Sequence, residues 1–340
     1  YEMMFGAAKA RAVMNAVNTR LAPPEVQFIL SDAQASVLFV GAEFYEIIDG
    51  LRDQLPDLKT VIAIDGPHGD WPVYADWRDG QSSDAPGIET LGSDDVIQLY
   101  TSGTTGLPKG VMLTNDNYHA YLQQASLMEW AQYEAGDSTM NAMPLFHVAG
   151  VNVGIVAMSQ GARTVVLPEI DPTEILRLCE EEKINHAMWV PAVILILSQH
   201  QNFRETDFSH LQQVFYGASP ISEDLVRTAM EVMEARFTQL YGLTETVGGA
   251  TYLPPEAHDP GKGKLRSCGM PFPECDIRCV DGDGNSVPQG DVGEIVIKSD
   301  MVMKGYWNRP DATEDAIRDG YFYTGDAGYF DEEGFLYIHD

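Results

Sequence analysis

Tyr100-Thr101-Ser102-Gly103-Thr104-Thr105-Gly106-Leu107-Pro108-Lys109-Gly110 is the stretch on which the fold turns, because it sets four Ser/Thr hydroxyls, three glycines and one lysine between apolar runs at 96–99 and 111–113. Glycines let a backbone turn its amides toward an anion, hydroxyls donate further hydrogen bonds, and a lysine adds a mobile positive charge. The composition predicts a polyphosphate cradle. In a Walker A loop the lysine opens a helix; here Pro108 precedes Lys109 and an apolar run follows, which predicts strand, loop, strand. The plain alternative is a hairpin whose Gly, Ser and Thr merely satisfy turn geometry. So specific a run argues against it.

Three later segments follow in order: Tyr216-Gly217-Ala218-Ser219-Pro220, Gln239-Leu240-Tyr241-Gly242-Leu243-Thr244-Glu245-Thr246, and Tyr323-Thr324-Gly325-Asp326. Together with the cradle they resemble the signatures of the AMP-forming acyl-adenylate superfamily, which includes acyl-CoA synthetases, beetle luciferases and the adenylation domains of peptide synthetases. The closest likeness is to long-chain fatty-acid–CoA ligases. The resemblance implies that Thr101, Ser102, Gly103, Thr104, Thr105, Gly106 and Lys109 hold the β- and γ-phosphates of ATP. It implies that Thr244 meets the α-phosphate region, Glu245 binds Mg²⁺, and Thr244, Glu245 and Lys109 form the catalytic set. Tyr241 would stack on adenine, with Gly217, Ala218, Ser219 and Gly242 beside it, and Asp326 would accept hydrogen bonds from the ribose hydroxyls. On composition alone, Thr-Glu reads as a helix cap, the tyrosine as core and the aspartate as a turn residue. The motif context reverses those readings.

Phe146-His147-Val148-Ala149-Gly150 falls where the family places the gate to its acyl pocket. His147, Val148, Val151 and Val190 are therefore expected to bind the acid, with Trp189 and Ala192 as further apolar candidates, although each valine also reads as ordinary core. Peptide-synthetase relatives carry an aspartate at the gate for the substrate ammonium, and its absence points away from amino acids. A fatty acid leads. An aryl-CoA ligase and an acyl-AMP ligase that loads a carrier protein are the alternatives of the same class; a nucleotide-binding sensor or scaffold without turnover is the alternative of another class.

The formal charge of −30 argues against a nucleic-acid or anionic-membrane partner, since both are negative. It reads as a solvated acidic surface, with adaptation to a salty cytoplasm as the other reading. The expected partners are the acid, ATP and coenzyme A, with a homodimer left open. The longest apolar run, 192–197, is far too short to cross a bilayer, so a cytoplasmic enzyme is expected. Cys179, Cys268, Cys275 and Cys279 are too few and scattered for a disulfide framework and read as buried apolar thiols.

Alternating helix-like and strand-like pieces predict an α/β fold: an Ala-rich helix to about Asn18, strands at 37–40 and 61–64, a helix from Asn117 to about Tyr133, and a helix opened by Asp171-Pro172. After Leu253, close Gly, Pro and Asp turns predict a β-rich segment. Asp281-Gly282-Asp283-Gly284-Asn285 there reads as a hairpin turn rather than a calcium loop, since no bidentate glutamate follows. The expected organisation is 1–253 as two stacked α/β subdomains (layered αβαβα) and 254–340 as a small distorted β-barrel ending at a hinge. The resemblance implies that an upstream strand-helix segment and a mobile C-terminal domain lie outside this sequence. Because the family's adenylation lysine lies in that domain, these residues alone are expected to bind ATP weakly and turn over poorly.

Overall fold

The computed structural model describes residues 1–102 and 106–339. They fall into two compact units, 2–110 and 111–340 with Tyr1. The expected contributions of Gly103, Thr104 and Thr105 lie outside the described residues.

The unit 2–110 runs α1 (Glu2–Lys9), β1 (Met14–Asn15), α2 (Pro23–Asp32), β2 (Val37–Val40), α3 (Tyr45–Leu51), β3 (Thr60–Ala63), α4 (Tyr74–Asp79) and β4 (Asp95–Thr101). β1 pairs in parallel with β4, and β2 with β3. Leu30, Val40, Ile48, Leu51 and Val61 bury their side chains around Tyr45, which closes this core. The first helix stops well before Asn18. Arg11 takes a left-handed φ of 56°, Ala12 N–H closes on the Ala7 carbonyl at 2.8 Å, and the chain then enters β1. Strand pairing with Ile97 and Gln98 overrides the helical preference of the alanines.

β5 (Lys109–Thr114) leads into the larger unit, where the strand expected at 111–113 forms. There follow α5 (Asn115–Leu127), β6 (Ser138–Asn141), α6 (Val148–Ser159), β7 (Arg163–Val166), α7 (Pro172–Glu181), β8 (His186–Trp189), α8 (Pro191–Gln199), β9 (Gln213–Gly217), α9 (Glu223–Met233) and β10 (Arg236–Tyr241). Among the described residues a seven-stranded sheet orders them β10-β9-β8-β6-β7, with β11 (Thr251–Leu253) and β12 (Met270–Pro271) added beyond β10. The five strands from β7 to β10 are parallel, and β11 and β12 run antiparallel. β6, β8 and β9 are buried along their whole length, as central parallel strands with both faces covered must be.

Trp189, Tyr216, Phe203 and Phe237 are fully buried in the core of this sheet. α7 begins where Asp171-Pro172 predicts: the Asp171 carboxylate accepts from Thr173 N–H at 2.8 Å, and Pro172 costs no intrahelical bond at the first position. α5 ends at Leu127 rather than near Tyr133, because the Gln132 amide donates to the Ala125 and Met128 carbonyls at 2.8 and 2.9 Å and satisfies the helix end.

The turn-rich segment folds as expected into antiparallel β-structure: β13 (Asp276–Val280), β14 (Gly293–Lys298), β15 (Gly305–Tyr306), α10 (Pro310–Ala316), β16 (Ile317–Arg318), β17 (Tyr321–Phe330) and β18 (Leu336–Ile338). Among the described residues β13-β14-β17-β16 form one sheet with β18 paired to β17, while β15 pairs with β5. Asp281 and Asn285 close the hairpin turn, the Asp281 carboxylate accepting from Asp283 and Asn285 N–H at 3.0 and 2.9 Å. Cys179, Cys268 and Cys279 are buried, and burial pushes their thiols up to about 12, 11 and 11. Among the described residues no helix is long and apolar enough to cross a membrane.

Candidate active site

The second and third signatures end neighbouring parallel strands. Gly217 closes β9 opposite Leu240 of β10, and a Cβ on Gly217 would stand 2.1 Å from the Leu240 carbonyl oxygen. Only glycine lets the two backbones approach this closely. Ala218 then takes a left-handed φ of 65°, which costs an L-residue of this kind about 1 kcal/mol or more and turns Ser219 out of the sheet. Gly242 plays the same part after β10, its absent Cβ facing the Gly248 and Gly249 backbone at 2.6 Å.

Tyr241 ends β10 and reaches β17, where its hydroxyl donates to Asp326 Oδ2 at 2.8 Å. The structure thus joins two residues predicted from separate motifs. Burial first, and then the neighbouring Asp326 carboxylate, pushes the Tyr241 phenol up, so it stays a neutral donor. Asp326 owes its direction to an irregularity in β17: Val296 pairs with Tyr323 but Glu294 with Ala327. The extra residues include Gly325 at φ 78°, and the Glu294 carboxylate accepts from its N–H at 3.1 Å. Such a bulge re-aims a side chain that a regular strand would carry elsewhere.

Thr244–Thr246 form a single 3-10 turn. Thr246 Oγ1 accepts from Leu243 N–H at 3.0 Å, and the turn is closed by Gly248 N–H on the Leu243 carbonyl at 2.7 Å. Glu245 is buried, and its Oε1 accepts from the Tyr306 hydroxyl at 3.0 Å. Burial and then Glu245 push the Tyr306 phenol up. No motif had marked Tyr306, which lies 61 residues away from Glu245. Thr101, Ser102, Gly106 and Lys109 belong to the other unit, at the end of β4, in the connection, and at the start of β5.

Behind this wall, Tyr216 directs its hydroxyl to Nε2 of His258 at 3.0 Å, while Nδ1 of His258 donates to the Pro254 carbonyl at 2.9 Å. Burial pulls His258 down to about 4. The unfolded chain therefore takes up a proton that the folded chain refuses between that value and the ordinary 6.5. Stability is full above pH 7 and falls as the pH drops toward 4, with about 2 kcal/mol lost to this group between pH 7 and pH 5. Urea unfolding at those two pH values checks it: the loss should shrink by that amount in His258→Gln, and equal losses in both proteins would sink the assignment.

An apolar cavity of about 120 Å³ opens beside the same strand ends. Its walls include Tyr121, Trp130, Met188, Phe215 and Phe272, and α6 presents Val148, Ala149, Asn152, Val153 and Val156 to it. Those α6 positions follow the three-to-four spacing of one helix face. Val151 falls on the opposite face and is buried away from the cavity walls, and Val190 packs against the core that also holds Trp189. Of the expected acid contacts, Val148 alone lines the cavity among the described residues. His147 precedes it, exposed at the start of α6 with its ring 4.6 Å from that of Phe146. The aromatic walls were not legible in sequence, since they come from positions 121 to 272. Ala218 and Gly242 line the cavity too, so its mouth and the strand ends are one surface.

A family model described as AMP-binding enzyme matches residues 1–307. The long-chain-fatty-acid–CoA ligase FadD13 of Mycobacterium tuberculosis is 36% identical over 341 residues, covering 99% of this chain and 65% of that protein. The fatty acid–[acyl-carrier-protein] ligase ScoC of Streptomyces coeruleorubidus is 34% identical over 343 residues, covering all of this chain and 64% of that protein. The chain thus spans just under two thirds of the length of these curated relatives. Among solved structures, the inhibitor-bound N-terminal domain of FACL13 from Mycobacterium tuberculosis matches with a TM-score of 0.90 and 35% identity, over 99% of this chain and 82% of that one.

Proposed function

Since the chain belongs to the AMP-binding enzyme family, we propose that it is the nucleotide- and acid-binding part of an enzyme that joins a carboxylic acid to AMP and then passes the acyl group to a thiol. The observation that carries this reading is the shared wall, because Ala218 and Gly242 border both the strand ends expected to hold the nucleotide and the apolar cavity. An acid whose body fills the cavity then has its carboxylate beside the α-phosphate.

A carboxylate is a poor electrophile, being negative with a poor leaving oxygen. In the first step one of its oxygens attacks the α-phosphorus of ATP and the bond to the β-phosphate oxygen breaks, releasing pyrophosphate. In the second the thiol sulfur attacks the acyl carbon, the proton is lost, and AMP leaves. Two anions must meet in the first step, so aimed donors and positive charge decide its rate. Thr101 to Gly106 and Lys109 would hold the β- and γ-phosphates and Thr244 the α-phosphate region. Tyr241 would lie under adenine beside Gly217, Ala218, Ser219 and Gly242, and Asp326 would take the ribose hydroxyls.

Mg²⁺ is held by one or two carboxylates together with substrate phosphates rather than by a protein cage. A single buried, hydrogen-bonded Glu245 fits that donor set, and among the described residues no cluster of three or more His, Cys, Asp or Glu offers another. Bound there, the ion would offset phosphate charge as pyrophosphate leaves. The same proposal keeps 1–253 and 254–340 as the functional division, coenzyme A as acceptor, a cytoplasmic setting, and a homodimer as the oligomer to look for.

The relatives' names favour a fatty acid. The cavity favours a second reading, an aryl acid, because Tyr121, Trp130, Phe215 and Phe272 wall it with rings against which an aromatic group packs. Acid-dependent ATP–pyrophosphate exchange by the intact protein, surveyed from hexanoate to palmitate and from benzoate to hydroxycinnamate, tests the proposal. Exchange with at least one acid is expected. ATP binding without exchange for any of them would replace the ligase by a sensor or scaffold.

A further inference from the structure

Glu245 sits in a turn too short to orient its own side chain, yet its carboxylate has a fixed direction. One partner that holds it is Tyr306, whose hydroxyl donates to Oε1 at 3.0 Å in a buried contact. Tyr306 is itself held from several sides. It pairs with Val111 and Gly305 with Met112, so β15 is bound edge to edge with β5. Its N–H donates to Thr313 Oγ1 at 2.9 Å, and that hydroxyl donates onward to the Arg309 carbonyl at 2.9 Å. The approach to β15 is equally constrained: the Asn117 amide donates to the Asp300 and Val302 carbonyls at 2.8 and 2.9 Å, and Lys304 N–H to the Met112 carbonyl at 3.1 Å. Met303 N–H then reaches the backbone carbonyl of Glu245 at 2.7 Å. Backbone and side chain of Glu245 are thus both tied to the segment 300–306, which is tied to the strand that leaves the phosphate loop.

We propose that Tyr306 is the positioning residue for Glu245: its phenol presets the carboxylate for a divalent cation carried in with ATP, and β15 transmits the position of β5 to that carboxylate. The inference rests on the metal role proposed for Glu245. A partner of this kind pays its cost at folding rather than at metal entry, so its removal shows as weaker metal binding before it shows as slower chemistry.

The test is Tyr306→Phe in the intact protein, which removes one oxygen and keeps the ring. With Mn²⁺ as the probe and a non-hydrolysable ATP analogue present, electron paramagnetic resonance counts the free ion directly. The Mn²⁺ needed for half-saturation should rise about tenfold, the low end for losing an outer partner of a metal ligand. At saturating Mg²⁺ the turnover number should move far less than the Mg²⁺ requirement. Tyr118→Phe is the control, because its hydroxyl is buried with no hydrogen-bond partner among the described residues and should leave the titration unchanged. Identical titrations for Tyr306→Phe and the unaltered protein would overturn the proposal, as would an equal shift in Tyr118→Phe. Absence of any ATP-dependent Mn²⁺ binding in the unaltered protein would instead remove the metal role of Glu245, and this inference with it.

Discussion

Glu245→Ala in the intact protein is expected to lower Mg²⁺-dependent pyrophosphate release by about a thousandfold, the upper range for removing one group aimed at a transition state. The size of the effect follows from burial. Glu245 is almost fully enclosed, with its Oε1 on the Tyr306 hydroxyl and its carbonyl on Met303 N–H. Alanine also removes the carboxylate oxygen to which the Tyr306 hydroxyl donates, at a stability cost of about 1 kcal/mol. Glu245→Gln separates the two effects, since the amide oxygen can still accept from Tyr306 while the charge is gone. Stability should recover and pyrophosphate release should not. Release at the normal rate in either variant would end the metal assignment. Lys109→Ala should be milder, mainly raising the ATP concentration needed, because a lysine acts as a mobile point charge among many phosphate contacts.

Gly217→Ala is the second large effect, and it acts through the backbone. The new methyl group would lie 2.1 Å from the Leu240 carbonyl oxygen, an atom that cannot rotate away. β9 and β10 must part at the place where Ala218 and Tyr241 border the proposed nucleotide site. Overpacking of this kind costs about 1–3 kcal/mol. The loss of nucleotide affinity should exceed what that destabilisation explains, because even an ångström of displacement spoils a preorganised site. Calorimetric titration with AMP beside urea unfolding checks this. A stable, undisturbed AMP site in Gly217→Ala would show that the strand ends are not the adenine wall.

What the sequence disclosed depended on how local its physics was. Asp171-Pro172 announces α7 because a cap and a first-turn proline act within three residues. The end of α1 was hidden, since alanines favour helix and only the pairing of Met14 with Ile97 decides otherwise. The motif at 323–326 names Asp326 as a candidate but leaves its bulge invisible, because register between β14 and β17 is a property of two segments distant in sequence. Tyr306 and the aromatic cavity walls lay beyond reach for the same reason. Val151 was chosen for its apolarity, but apolarity does not say which face of α6 meets the cavity.

The measurement that tests the central claim most directly is a crystal structure of the protein with Mg²⁺ and a non-hydrolysable ATP analogue. The account predicts adenine lying on Tyr241, ribose hydroxyls on Asp326, the ion on Glu245, and the triphosphate tail clasped by residues 101–109. A nucleotide bound away from Tyr241 and Asp326, or one whose phosphates leave Lys109 and its loop untouched, would contradict it.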